Sequence, residues 1–156
     1  MRLTPATELE YRCKKLQDLM QTADLDAVLI VQNADLYYFT GTVQNGCLYV
    51  PASGQPIYLA RRDQARARME SGLREVVSFS APKDIPAIIN GYGYPAPKKI
   101  GLEFDVLPVV FLERYRKVWP NATFSDATPL IRQVRMIKSH YEIHLDRKST
   151  RLNSSH

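Results

Sequence analysis

Cysteine is scarce in this 156-residue chain: Cys13 and Cys47 stand alone, one in a predicted helix and one in a predicted strand. With no secretory signal ahead of them, they read as free buried thiols and not as a disulfide. Long hydrophobic runs are missing too. The longest clean one is Ala27–Val31, far short of a membrane span. The opening residues, Met1-Arg2-Leu3-Thr4-Pro5, have no apolar core of a signal peptide, so the cytoplasm is the expected location. There is no internal repeat, low-complexity tract or compositional break. Charge of one sign is also modest. Of the formal +5, Arg147, Lys148 and Arg151 against Asp146 put +2 on the last eleven residues, leaving +3. That surplus is too small to point to nucleic acid.

Catalytic motifs are equally thin. His140 and His144 are four apart and share a helix face, which could hold a metal. Their order is His-x-Glu-x-His, so Glu142 lies off that face and no third ligand is near; both read as solvated helix residues. Asp24 and Asp35 have the spacing of two bridging metal ligands in one metallopeptidase family. Asp24 is better read as a turn residue before a strand, and Asp35 as a helix cap. Arg61, Arg62, Arg66 and Arg68 fall on one predicted helix, with Arg74 beyond. No aromatics interleave, and Asp63, Glu70 and Glu75 dilute the charge, so a solvated face is the reading. Gly91-Tyr92-Gly93-Tyr94-Pro95 lacks the third glycine of a dinucleotide fingerprint and reads as a loop. No G-x-S-x-G occurs. No catalytic residue and no metal ligand is assigned in this chain.

What is present is an alternation of helix and strand signals. Thr7 and Glu10 form a capping box, opening a helix with Leu9, Cys13, Leu16, Met20 and Ala23 along one stripe. Asp24-Leu25-Asp26 ends it, and Ala27–Val31 is a buried strand. Asp35–Phe39 is a short helix stopped at Thr40-Gly41. Cys47–Val50 and Pro56–Ala60 flank a five-residue turn and read as a hairpin. A polar helix over Arg61–Ser71, a strand over Glu75–Phe79 and a short helix over Ile85–Asn90 follow. Next come a strand over Lys99–Phe104 and an amphipathic helix over Leu107–Trp119 with Pro108 in its first turn. Thr123–Ser125 reads as an edge strand and Thr128–Met136 as a short helix. A hairpin among βα units predicts an α/β domain with a mixed β-sheet flanked by helices.

The densest unusual cluster is Leu36-Tyr37-Tyr38-Phe39-Thr40-Gly41. Successive helical residues rotate by about 100°, so three aromatics in a row cannot all face one core. At least one is expected at a rim or interface.

At the other end, Ser139-His140-Tyr141-Glu142 is a second capping box. Ile143 and Leu145 follow, and then the apolar pattern stops, leaving one turn, too short to hold as an independent helix. Asp146–His156 reads as the translation of a common sequencing adapter. The expected organisation is therefore one domain over residues 1–138, the start of a linker helix over 139–145, and a non-native tail over 146–156. A domain of the first 145 residues buries roughly 68–70% of its unfolded surface.

In order along the chain stand Glu10, Arg12 and Leu16, then Asp26-Ala27-Val28-Leu29-Ile30, Tyr38-Phe39-Thr40-Gly41 and Pro56-Ile57-Tyr58-Leu59. Ile100-Gly101-Leu102-Glu103 and Leu130-Ile131-Arg132-Gln133-Val134-Arg135-Met136-Ile137-Lys138-Ser139 with Glu142-Ile143 complete the series. This series resembles the N-terminal domain of the creatinase/prolidase/Xaa-Pro aminopeptidase family, over Glu8 to Leu145. The resemblance implies a noncatalytic domain preceding a larger pita-bread domain. There, two Asp, one His and two Glu hold two divalent metals (Mn, Co or Zn), and proline-containing peptides are the substrates. It also implies a homodimer, in which Tyr37, Tyr38, Phe39, Thr40 and Gly41, with the Thr42–Gly46 loop, form a wall of the dimer or of the substrate entrance. The fragment alone is expected to be inactive, to bind no cofactor, and to meet neither nucleic acid nor membrane. The alternatives are a standalone interaction or ligand-binding domain, and the N-terminal domain of a creatinase-like small-molecule hydrolase.

Overall fold

The computed structural model describes residues 3–61 and 64–154. Its centre is a six-stranded sheet, built from β1 (Ala27–Ile30), β2 (Gly46–Pro51), β3 (Ile57–Ala60), β4 (Glu75–Ser78), β5 (Lys99–Leu102) and β6 (Thr123–Asp126). The spatial order is β4-β3-β2-β1-β5-β6. Only β2 runs against the others: it pairs antiparallel with β1 and β3, while β3–β4, β1–β5 and β5–β6 pair in parallel. The mixed sheet predicted from the sequence is the one observed.

Alternation along the central strands divides the core into two layers. Val28 and Ile30 face α1 (Ala6–Thr22), α2 (Asn33–Thr40), α3 (Gln64–Glu70) and α6 (Thr128–Met136). Ala27 and Leu29 face α4 (Ile85–Gly91) and α5 (Val109–Val118). The crossover through α3 therefore covers one face and the crossovers through α4 and α5 cover the other. The sheet edge at the carboxyl ends of β1, β3, β4 and β5 lies where the winding changes sides. In open α/β sheets that edge is where ligand crevices form.

Several boundaries differ from the sequence expectation. No capping box opens α1. Pro5, in extended geometry, is already its N-cap, and its carbonyl accepts from the N–H of Glu8 (3.1 Å) and Leu9 (3.2 Å). Thr7 and Glu10 are thus exposed residues within the helix, and Ala23 falls outside the buried stripe. The stripe instead includes Glu8, Arg12 and Gln17 beside Leu9, Cys13, Leu16 and Met20. Gln17 donates to the carbonyls of Pro51 (2.9 Å) and Gly54 (2.8 Å), fixing the hairpin turn to α1.

The second helix starts at Asn33, capped by Gln32, whose side-chain oxygen accepts from the N–H of Asp35 at 2.8 Å. Asp35 is therefore a first-turn residue and not the cap. Gly41 ends α2 with φ +82°, as a left-handed C-terminal position requires. Pro108 is the N-cap of α5 and lies outside it. Strand β5 stops at Leu102 because the carbonyl of Glu103 is drawn into a turn, accepting from Val106 (3.1 Å) and Leu107 (2.9 Å). At the chain's end, α7 (His140–Ser154) runs well past Leu145. It is docked at its first turn, so it is not the isolated single turn that nucleation cost forbids, and the exposed residues Asp146–Arg151 extend it.

Gly46 opens β2 with its Cα against β3. A Cβ there would lie 2.0 Å from the carbonyl oxygen of Leu59, while one on Gly91 would meet nothing within 4 Å. Gly46→Ala is expected to destabilise by about 3 kcal/mol. Gly91→Ala is expected to be neutral or stabilising by up to about 1 kcal/mol. Urea midpoints of the two variants check both values, and equal midpoints contradict the close β2–β3 approach.

Candidate functional site

Two of the charged residues in the α1 stripe meet where α7 leaves the domain. Glu8 and Arg12, one helical turn apart, point the same way. Both are nearly inaccessible, at 6% and 7% exposure. The Arg12 guanidinium donates to the carbonyl of Tyr38 at 2.7 Å, and its Nε stands 3.4 Å from Glu8 Oε1. The same Glu8 oxygen accepts from the Ser139 hydroxyl at 2.5 Å. That hydroxyl in turn accepts from the N–H of Glu142 at 3.1 Å, while Glu142 Oε1 reaches back to the N–H of Ser139 at 3.4 Å. The capping box expected at Ser139 is present, and it is also the point at which α7 is tied to α1.

Tyr38 sits at the centre of this seam. Its ring lies 4.2 Å from the Arg12 guanidinium and 5.3 Å from that of Arg135, two cation–π contacts on one aromatic. Its hydroxyl donates to Glu142 at 3.4 Å. Burial, and next the Glu142 carboxylate, push the Tyr38 hydroxyl above the ordinary tyrosine pKa, so it stays a donor. Phe39 packs edge-on against it with ring centroids 4.9 Å apart.

Of the cluster singled out in sequence, Tyr38, Phe39, Thr40 and Gly41 are all buried, and only Tyr37 is open, at 53% exposure. The following loop is held by Glu70, which accepts from the Thr42 hydroxyl (2.6 Å), Arg66 Nε (2.8 Å) and Gln44 (3.2 Å). These bonds, that of Thr42 foremost, lower the Glu70 pKa to about 2.

The seam continues to the sheet edge. Arg135 donates to Asp35 at 2.7 Å, and Asp35 neighbours the buried Glu103, which is 1% exposed. Glu103 Oε1 accepts from the N–H of Val31 (2.6 Å) and Gln32 (3.0 Å), clamping the β1–α2 turn onto the end of β5. Its other oxygen is buried with no donor. A protonated Glu103 donating to Asp35 satisfies that oxygen. Burial first, and then the Asp35 carboxyl, push the Glu103 pKa up to about 9, outweighing the two N–H groups.

The remaining sequence candidates separate. His140 and His144 are both exposed on α7. Asp24 holds a left-handed turn (φ +59°) and pairs with Lys99, while Asp35 serves the seam. Arg61 precedes α3, Arg62 lies outside the described residues, Arg66 pairs with Glu70, and Arg68 donates to the Val76 carbonyl at 3.0 Å. Arg66 and Arg68 thus make separate contacts, one to a side chain and one to the backbone of β4. A cavity of about 360 Å³ opens beside Asp35 and Arg135. Arg132 pairs with Asp105 there as Arg135 does with Asp35, so each charge lining it is already matched. Cys13 and Cys47 are free and buried, and burial pushes both thiols up to about 12, far from thiolate chemistry. Among the described residues, no group of three or more His, Cys, Asp or Glu could hold a metal ion. A dinuclear centre does not fit these residues, and the seam's chemistry is to hold and orient α7.

Sequence reasoning missed Glu8, Arg12 and Glu103 as a system. The signals were charges in phase with an apolar helical stripe, and a carboxylate directly after an apolar strand.

The sequence model described as the Creatinase/Prolidase N-terminal domain matches residues 12–137. An Xaa-Pro dipeptidase from Pyrococcus horikoshii is 27% identical over 143 residues, covering 90% of this chain and 39% of the relative. The chain thus spans about two-fifths of that relative's length. Among solved structures, an Xaa-Pro dipeptidase from Bacillus anthracis superposes with a TM-score of 0.74 at 18% identity, over 87% of this chain and 38% of that one. The N-terminal domain of the cytoplasmic peptidase PepQ from Mycobacterium tuberculosis gives 0.69 at 22% identity, over 80% of this chain and 98% of that one.

Arg12→Met leaves the Glu8 carboxylate buried without its cation and is expected to cost about 3–5 kcal/mol. Tyr38→Phe loses only one long hydrogen bond and is expected to cost under about 1 kcal/mol. Urea denaturation measures both, and reversal of the order contradicts the seam. Glu103 predicts a pH dependence. The native chain keeps a proton that the unfolded chain releases above its ordinary value of 4.5, so the native state binds more protons between there and about 9. Stability therefore falls as pH rises through that window. Glu103→Gln can donate to Asp35 at every pH. The stability of the variant relative to the parent should rise steadily from about pH 5 to about pH 9, and a constant difference contradicts a protonated Glu103.

Proposed function

Because the chain belongs to the Creatinase/Prolidase N-terminal domain family, we propose that it serves as the noncatalytic domain of an Xaa-Pro peptidase, which acts on proline-containing peptides. The observation that carries this reading is the family match over residues 12–137 together with the share of the relatives' length that the chain spans. The relatives' further three-fifths would hold the two divalent metals, Mn, Co or Zn, because the described residues offer no ligand set. In this role the domain contributes to a homodimer and narrows the entrance to the active site. Tyr37 and Val43, each 53% exposed, are the side chains of the 37–46 segment that present apolar surface. Tyr38, Phe39, Thr40 and Gly41 support that wall from beneath. The Ser139–Glu8 tie supports the reading as well, since it fixes the direction in which α7 departs.

With Mn²⁺, Co²⁺ or Zn²⁺ added, the 156-residue chain is expected to release no proline from an Xaa-Pro dipeptide. Metal-dependent release overturns the noncatalytic reading. In a longer protein read through the same natural frame, cleavage is expected. There, Tyr37→Ala should weaken dimerisation, or raise KM for long peptides, by about threefold or more while dipeptide kcat holds. No change in either quantity overturns the wall.

A further inference from the structure

A second cavity, of about 260 Å³, lies at the carboxyl-end edge of the sheet, on the α5 face. Its floor is apolar: Cys47, Phe79 and Tyr115 are each under a tenth exposed. Phe111 forms part of its wall. Two arginines also line it, Arg61 directly after β3 and Arg114 on α5. Burial pushes up both the Tyr115 hydroxyl and the Cys47 thiol; Arg114 and Arg61 oppose the first shift, to which Cys47 and Glu103 add, and Arg61 opposes the second. Arg114 also lies 5.3 Å from the Phe111 ring. Among the described residues, no carboxylate lines the cavity and neither arginine has an ion-pair partner. Elsewhere on this surface, Arg66, Arg132 and Arg135 are each matched to a carboxylate.

We propose that this cavity binds a small carboxylate with an apolar body, its charge held between Arg61 and Arg114 and its body on Cys47, Phe79 and Tyr115. Three observations carry this. The place is the edge where the winding of an open α/β sheet changes sides, the usual position for a ligand crevice. Paired guanidiniums match a carboxylate's two oxygens, with charge-assisted hydrogen bonds roughly twice as strong as neutral ones. An apolar floor with few polar groups is the ordinary make-up of a small-molecule site, and the volume admits a body the size of benzoate. The proposal rests on this chain's own residues and is independent of the peptidase reading.

The test is a titration of the ¹⁵N-labelled chain with benzoate, with benzamide and inorganic phosphate as separate arms. Benzoate should give saturable shifts at the amides of Cys47, Phe79 and Arg114. Benzamide, of the same shape without charge, and phosphate, charged without an apolar body, should each bind about tenfold more weakly. Arg61→Gln and Arg114→Gln are exposed substitutions that leave the core untouched, and each should weaken benzoate about fivefold or more. Absence of saturable shifts, or equal affinity in the double variant, overturns the site. Benzamide matching benzoate overturns the role of the arginines, and phosphate matching it overturns the apolar body.

Discussion

A buried guanidinium is the constraint around which one side of this domain is organised. Arg12 lies in the apolar stripe of α1, where an uncompensated charge is untenable. Glu8, one turn earlier, supplies the opposite charge, and the carbonyl and ring of Tyr38 supply an acceptor and a π-face. Those demands fix α2 against α1. Because Glu8 also accepts from Ser139, they fix the first turn of α7 as well. A single ionised group thus sets the relative placement of three helices, two of them far apart in sequence. Replacing such a pair by packed apolar residues is often neutral or stabilising, so its role is better seen as orientation than as net stability.

Glu103 is the second organising group, and it works through its proton. Held neutral by burial and by Asp35, it can accept two backbone N–H groups with one oxygen and donate with the other. Through Asp35 and Arg135 it is linked to Tyr38, so the sheet edge and the helical seam form one polar chain. Such networks specify an arrangement most sharply when every member is satisfied; here Arg12 Nε, 3.4 Å from Glu8, is left without a hydrogen-bond partner among the described residues. The family's N-terminal domain is here an α/β scaffold in which that polar chain runs from the departing helix to the sheet edge.

Much of the fold was legible from pattern alone. The Ala27–Val31 run, the hairpin around Pro51–Gln55, the Gly41 stop and the Ser139 capping box all rest on local chemistry, and all four stand in the structure. Where the reading failed, a competing local partner had won. Thr7-x-x-Glu10 satisfies the capping-box pattern, but Pro5 already occupied the N-cap geometry two residues earlier. Asp35 suits a cap, yet Gln32 reaches its N–H, and the Asp35 side chain is spent on Arg135. The aromatic cluster was read correctly in one respect, since one of its three rings is exposed. Which ring, and that Tyr38 would be held between two arginines, depended on helices ninety and more residues away in the chain, as well as on α1.

The sequence by itself determined the secondary elements, the mixed sheet and the family, because periodicity, turn chemistry and caps act within a few residues. Tertiary structure alone decided which charges are buried, which carboxyl keeps its proton and which arginines are left without a counter-charge. Those outcomes depend on desolvation and on distances between groups tens of residues apart, such as Glu8 and Ser139 or Arg61 and Arg114. No local pattern encodes them.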